Sequence, residues 1–393
     1  MEPPAFPLSR RMAQVQSPII PVIAELIRRT PGTISLGQGV AFYGPPDAAL
    51  AAARSLGDRP EQHKYGPVQG IPELRERIEH KLAAQNGIAS FSGRQVVVTA
   101  GANMGFLNAL FAIADPGDEV ILPLPYYFNQ EMAIRMLNCV PVLVPTDENH
   151  QLSLGALRAA ITPRTRAIAT ISPNNPSGAV YPEADLRAVN ALCRERGIYH
   201  ISDEAYEYFV HGAARHFSPA SIAGAESHTI ALYSLSKAYG FAGWRIGYML
   251  IPKPLYESVL KAQDTNLICA PLISQHAAAA ALDIGAGYCQ EHLGTIRRVR
   301  EIVLDELTTV AEFCHAPPAE GAFYFLLKAN TELDSMALAK RLISEHRVAA
   351  IPGKAFGLEQ GCFLRIAYGA LRPDTAAAGI RRLTAGIRAI IGA

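Results

Sequence analysis

The chain has 393 residues, of which 49% are hydrophobic and 18% charged. This is a globular balance with ample material for a core, and the length suits two or three domains. With 36 Lys and Arg against 35 Asp and Glu the net charge is +1. Bulk electrostatics therefore recruits neither nucleic acid nor an anionic membrane, and any bound anion needs a local site. Six cysteines, at 139, 193, 269, 289, 314 and 362, are scattered singly with neither a CxxC pair nor metal-ligand spacing. They read as free thiols in a reducing cytosol, and no metal site is expected.

The N-terminus opens Met-Glu-Pro-Pro and lacks the basic-then-apolar pattern of a secretory signal; Arg10-Arg11 is followed by no apolar stretch. No window approaches the roughly 18 apolar residues of a membrane span. The expectation is a soluble, cytoplasmic protein. Residues 18–29 have the spacing of an amphipathic helix, and 33–36 read as a short strand ending at Gly37-Gln-Gly39. Residues 71–85 have helical spacing with Pro72 in the first turn, and Arg94–Thr99 is a β-branched run bounded by glycines, hence a buried strand. The beat then repeats. Helices are expected at 105–114, 154–160 and 183–196. Strands are expected at 119–122, 140–144, 167–171, 198–202 and 229–233. Strands alternating with helices imply an α/β fold with a mostly parallel, doubly wound sheet. After Pro254 the pattern turns helical, with a long charged helix near 290–312. Strand-like 322–327, a helix near 335–346, strand-like 362–367 and a final helix follow. The expected division is an N-terminal segment, 1–44, packing with a small C-terminal domain, 315–393, and a large domain, 45–314, between them.

The decisive segment runs from Ala231 to Arg245. Lys237 ends a strand-plus-hydroxyl run, and Arg245 follows eight residues later across a Gly-rich turn. Ligands of parallel sheets bind at the carboxyl ends of strands, where this lysine falls. A lysine shielded from water loses basicity and becomes a nucleophile toward an aldehyde, and an arginine fork with nearby hydroxyls suits a phosphate. Upstream lie Ser202-Asp203-Glu204-Ala205-Tyr206 and Ser172-Pro-Asn-Asn175-Pro176-Ser177-Gly178.

The order Asn-Pro-x-Gly, Asp-x-x-Tyr, Ser-x-Ser-Lys and, eight residues on, Arg resembles the class I/II aminotransferases of fold type I, over essentially the whole chain. The resemblance implies pyridoxal 5'-phosphate as cofactor. It also implies a sheet of the seven-stranded type in the large domain and a smaller α+β domain. Carried over residue by residue, Lys237 links to the cofactor as a Schiff base and serves as general base. Asp203 pairs with the pyridine nitrogen, and Asn175 and Tyr206 bond the ring's phenolic oxygen. Ser234, Arg245 and the helix start at Ala102-Asn103 hold the phosphate, with Ser236 either joining them or packing. Tyr127 stacks on the ring, with Tyr126 as the alternative. Tyr65, in Tyr65-Gly-Pro-Val-Gln-Gly70, completes the partner subunit's phosphate cup, which implies a homodimer with shared active sites. Arg365 binds the substrate α-carboxylate with help from Gly39 and Asn175. One departure stands out: members of the family often read Gly-x-Pro-x-Phe where this chain has Gly39-Val-Ala41-Phe-Tyr43.

The implied reaction moves an amino group from an L-amino acid to a 2-oxo acid by a ping-pong route. A second cation for a side-chain carboxylate is missing from the stretch 262–271, and Ile19, Ile20, Tyr43 and Tyr127 are candidates for the pocket wall. The expected donors are therefore aromatic or large neutral amino acids, methionine included. The segments Tyr-Tyr-Phe-Asn and Tyr-Glu-Tyr-Phe also resemble aromatic/methionine aminotransferases. Aspartate-type transamination, a β-lyase or synthase on the same scaffold, and a cofactor-sensing regulator remain as alternatives.

Overall fold

The computed structural model describes residues 6–57 and 60–392. The first strand, β1 (Ile34–Ser35), lies apart from the next seven. These are β2 (Arg94–Thr99), β3 (Glu119–Leu124), β4 (Val140–Pro145), β5 (Thr165–Ile171), β6 (Tyr199–Asp203), β7 (Thr229–Ser234) and β8 (Gly247–Pro252). They form one sheet in the order β2-β8-β7-β6-β5-β3-β4. Every pair is parallel except those of β8, which runs antiparallel to both β2 and β7. The mostly parallel α/β sheet expected from the sequence is thus present. β3 and β7 are mainly apolar runs with β-branched residues, and β6, β7 and β8 are buried almost throughout, as strands covered by helices on both faces must be.

The helices between these strands end where local chemistry stops them. Pro72 occupies the first turn of Pro72–Asn86, and Gly87 closes it with a left-handed φ of 68°. The C-terminal part contributes β9 (Cys314–His315), β10 (Tyr324–Ala329), β11 (Val348–Ala349), β12 (Ile351–Pro352) and β13 (Cys362–Ala367). Of these, β12-β13-β10-β9 form an antiparallel sheet, while β11 pairs in parallel with β1 and ties the N-terminal segment to this part of the chain. Ile19 and Ile23 of the helix Ile19–Arg29 pack in the same cluster as Ile343, Ala349, Ile351 and Phe356. No helix among the described residues is long and apolar enough to cross a membrane.

Among the elements the sequence reading did not expect are β8 and the helices Asp47–Arg54 and Phe128–Met136. The strand matters most for the placement of charge. Because β8 runs opposite to its neighbours, it begins at the edge where β2, β5, β6 and β7 end, and Arg245 is delivered to the same edge as Lys237. The register sets Thr99, Gly247 and Ser234 abreast, and Ile171 beside Asp203.

A buried ion pair braces this edge from behind. Lys81, only 4% exposed, donates to both Glu207 oxygens at 2.6 Å and to Asn86 Oδ1 at 2.8 Å. Its ammonium also faces the rings of Tyr233 in β7 and Tyr248 in β8, at 4.9 and 6.0 Å from their centres. Removing one partner strands a buried charge. Lys81→Met should therefore lower unfolding stability by about 3–5 kcal/mol, whereas Lys81→Met with Glu207→Leu should recover most of the loss. Urea unfolding of the three proteins checks this, and a double variant no better than the single one contradicts it.

Candidate active site

Lys237 lies in the short helix Leu235–Ala238 directly after β7, and the Ser234 hydroxyl caps that helix by accepting the Ser236 N–H at 3.1 Å. The Lys237 Nζ donates to the Gly39 carbonyl at 2.6 Å. Burial, then the Arg245 and Arg365 cations, push its pKa down to about 8, while Asp203 opposes them. Near neutral pH an appreciable share of the amine is uncharged, as a nucleophile requires.

Asp203 ends β6 and is 7% exposed. Burial raises its pKa to about 6, although the Ala205 N–H at 3.2 Å and Gln130 Nε2 at 2.9 Å stabilise the anion. Tyr206 follows three residues on, with its hydroxyl 2.5 Å from that of Tyr324; burial raises the pKa of both phenols. Asn175, Asp203, Tyr206 and Lys237 line one cavity together with Tyr127, whose hydroxyl accepts from Asn129 Nδ2 at 2.8 Å. Tyr126 does not line it; that ring packs in the core beside Leu122 and Ala133.

An anion cradle closes one end of the cavity. Ala102 and Asn103 open the 12-residue helix Ala102–Ile113, so free backbone N–H groups and the positive end of the helix dipole lie there. Gly101 precedes them at φ 80°, and a Cβ on it would stand 2.7 Å from Arg245 Nη2. Arg245 is itself left-handed at φ 52° and is held by the Ala242 and Ala100 carbonyls at 3.0 and 3.3 Å. Ser234 and Ser236 contribute to the same cavity. Helix N–H groups, a guanidinium and hydroxyls together suit a phosphate.

Arg365, in β13 and 2% exposed, donates from Nη1 to Asn175 Oδ1 at 2.9 Å and from Nη2 to the Gly37 carbonyl at 2.7 Å. Its guanidinium faces the rings of Tyr324 and Phe356 at 4.7 and 5.1 Å. The Nε is buried without a partner. Gly39 is needed for close approach, since a Cβ there would lie 2.4 Å from the Tyr324 hydroxyl oxygen.

Of the pocket-wall candidates, Ile19, Ile20 and Tyr43 do not line this cavity, and Tyr65, assigned to a partner subunit's phosphate, is 80% exposed and outside the cavity of its own subunit. Tyr43, expected near the substrate, turns into the core instead: its ring stacks on His292 at 4.0 Å, and its hydroxyl donates to the Lys237 and Ala238 carbonyls at 3.1 and 3.2 Å. A buried phenol takes the nearest carbonyls, and here they belong to the turn that carries the lysine. Two others were missed. Gln130 stands three residues beyond Tyr127 on a helix that was not expected, and Tyr324 sits in an apolar run that reads only as a strand.

The residues present fit pyridoxal phosphate. A weakly basic amine could take an aldehyde carbon, a buried carboxylate could pair with a ring nitrogen, and the anion cradle would suit the phosphate. The unpaired Arg365 Nε remains for a carboxylate. Comparison with known proteins agrees. The family described as "Aminotransferase class I and II" matches residues 31–383. A probable aspartate/prephenate aminotransferase of Aquifex aeolicus is 35% identical, over 98% of this chain and 99% of its own. An aromatic aminotransferase of Arabidopsis thaliana is 33% identical over 98% and 97%. The solved structure of a Thermus thermophilus aspartate aminotransferase double mutant has a TM-score of 0.89 at 32% identity, covering 97% of this chain and 100% of that one. The chain belongs to the class I and II aminotransferases and is an enzyme dependent on pyridoxal 5'-phosphate.

Proposed function

We propose that the enzyme transfers the amino group of an aromatic or large neutral L-amino acid, methionine included, to a 2-oxo acid in two half-reactions. The observation that carries the substrate preference is the setting of Arg365. Its guanidinium is flanked by aromatic rings, and the other cations at the site, Lys237 and Arg245, already have work to do. No further cation is left for a side-chain carboxylate among the described residues lining the cavity. The relatives carry both aspartate/prephenate and aromatic names, so aspartate is the outcome the test must separate.

In this reading Arg365 binds the α-carboxylate, aided by Asn175 and the backbone at Gly39. Lys237 holds the cofactor, and its Nζ removes the α-proton and returns it later. Asp203 keeps the ring nitrogen protonated, with Gln130 orienting its carboxylate. Tyr206 and Asn175 donate to the ring hydroxyl's oxygen, Tyr324 steers the Tyr206 proton, and Tyr127 covers the ring face. The cradle of Ala102, Asn103, Ser234, Ser236 and Arg245 holds the phosphate. The cofactor, when bound, supplies an electrophilic carbon and a ring that accepts the electron pair released at the substrate's α-carbon. Tyr65, exposed on its own subunit, completes the cradle of a second copy in a homodimer. The division into 1–44 with 315–393 and 45–314 belongs to the same proposal, supported by the pairing of β1 with β11.

Borohydride should fix the cofactor to Lys237, and Lys237→Ala should lower transamination by roughly a thousandfold or more, since attachment and proton transfer both go. Peptide mapping that finds the label on another lysine sinks the assignment.

Asp203 yields a prediction of opposite signs. Its folded pKa of about 6 lies above the ordinary 3.8. Its contribution to apoenzyme stability is therefore full at low pH and lost as pH rises through 6. Asp203→Asn removes that penalty and should stabilise the apoenzyme by up to about 3 kcal/mol at pH 7, with no gain near pH 4. The same change should slow transamination by roughly a hundredfold. Unfolding curves at the two pH values decide it: an apo variant no more stable than the parent at pH 7 refutes the charge penalty.

For the donor, an aspartate side chain would leave its charge unpaired, whereas a phenylalanine ring gains by burial. The kcat/KM for phenylalanine should exceed that for aspartate by about tenfold or more. Side-by-side kinetics with 2-oxoglutarate as acceptor measure the ratio, and a faster aspartate reaction overturns the substrate reading alone.

A further inference from the structure

A second cavity, of about 610 Å³, opens between the loop after β4 and the antiparallel C-terminal sheet, and it shares no lining residue with the active site. That is the size of a small-molecule site. One wall is set by strand register. Lys328 of β10 stands beside His315 of β9 on one side and Phe363 of β13 on the other, so the three form a row across the sheet. The Lys328 ammonium lies 5.9 Å from the centre of the Phe363 ring, and no salt bridge among the described residues involves it.

The facing wall is acidic. Asp147 Oδ1 is occupied by the Asn149 and Gln151 N–H groups at 2.9 and 2.7 Å, which leaves Glu148 exposed and unpaired among the described residues. Pro145, Pro317 and Leu358 supply an apolar lining. His150 also lines the cavity; it is 8% exposed, and its Nε2 has no hydrogen-bond partner.

Free charges of opposite sign on facing walls, with apolar surface between them, select a ligand class. A simple anion would leave Glu148 unmatched, a simple cation would leave Lys328 unmatched, and a hydrocarbon would satisfy neither. We propose that this cavity binds a free α-amino acid with a large apolar side chain. Its carboxylate rests on Lys328, its ammonium on Glu148, and its side chain against Phe363 and Pro317. The site adjoins the active-site walls. The Thr146 hydroxyl donates to the Leu124 carbonyl at 2.6 Å, three residues before Tyr127, and Phe363 precedes Arg365 by two residues on the same face of β13. A bound amino acid therefore braces the strand carrying Arg365 against the loop leading to Tyr127. The enzyme thus senses the pool of its own substrate class at a place separate from the chemistry.

L-phenylalanine binding to borohydride-treated holoenzyme, measured by calorimetry, tests this. The site should survive Arg365→Ala, which removes carboxylate binding at the active site. It should weaken by about tenfold or more in Lys328→Glu or Glu148→Lys and return in the double charge swap. Both residues are exposed, so these variants should melt as the parent does. With the parent protein, 3-phenylpropionate and phenethylamine, each lacking one charge, should bind this site at least about tenfold more weakly than L-phenylalanine. Binding that vanishes in Arg365→Ala, that ignores both single charge changes, or that is matched by either one-charge analogue overturns the proposal.

Discussion

The Lys237 amine sits where its ordinary charge is costly. It is held away from bulk water with two arginines near it and one carboxylate to offset them, and the balance leaves it at about 8 instead of in the usual lysine range. Asp203 faces the complementary problem, a carboxylate buried at the end of a strand and raised to about 6. Neither group is comfortable in isolation, and the two are held close by strand order. β6 and β7 are neighbours in parallel, and β8 returns between β7 and β2, so the residues after Asp203, after Ser234 and before Gly247 meet at one edge. The reactive chemistry follows from keeping charged groups at an edge where water is scarce.

Holding them there needs contributions from distant parts of the chain. Arg365 reaches from β13 to Asn175, which follows β5, and to Gly37, which follows β1. Tyr324, on β10, bonds Tyr206 beyond β6. Arg365, the Tyr206 phenol and the segment after β1 are thus linked by three hydrogen bonds, two of which cross between the large sheet and the C-terminal part. Displacing β13 would disturb Asn175 as well as Arg365, so under the proposed roles substrate binding and cofactor geometry share a partner.

Much of this was legible in the sequence because the informative residues lie at strand ends. Arg94–Thr99, Glu183–Arg196 and Cys362–Ala367 have the bounds that β-branched runs and helical spacing predict, and the chemistry-bearing residues are polar exceptions that interrupt apolar text. What escaped reading was set by partners far away in sequence. Gly247–Pro252 is an apolar run whose antiparallel direction depends on its two neighbours and not on its own residues. Tyr43 looked like a pocket residue because an aromatic near Gly39 is expected to be there, yet its hydroxyl found backbone carbonyls nearly two hundred positions away. Gln130 and Tyr324 gave no signal because a glutamine on a helix and a tyrosine in a strand ordinarily mean packing.

Those two residues show how the site tolerates its own electrostatics. A carboxylate raised by burial would protonate further without donors, and Gln130 Nε2 and the Ala205 N–H supply two. Gln130 Oε1 is left buried and unpartnered, a local penalty accepted to point the amide at Asp203. The Arg365 Nε is unpartnered in the same way, on a guanidinium bonded to the cavity-lining Asn175. Unsatisfied polar atoms in a well-packed protein are uncommon, and here two of them border the cavity where charge must be handled. The surrounding structure makes up the difference: Lys81 and Glu207 pin the loop after Tyr206, Ser218 and His216 hold Glu204 next to Asp203 at 2.9 Å each, and the strained left-handed Arg245 is gripped by two carbonyls. Local strain at the reacting edge is thus offset by hydrogen-bonded polar clusters one layer behind it, which is how a fold of ordinary stability keeps a reactive site in one arrangement.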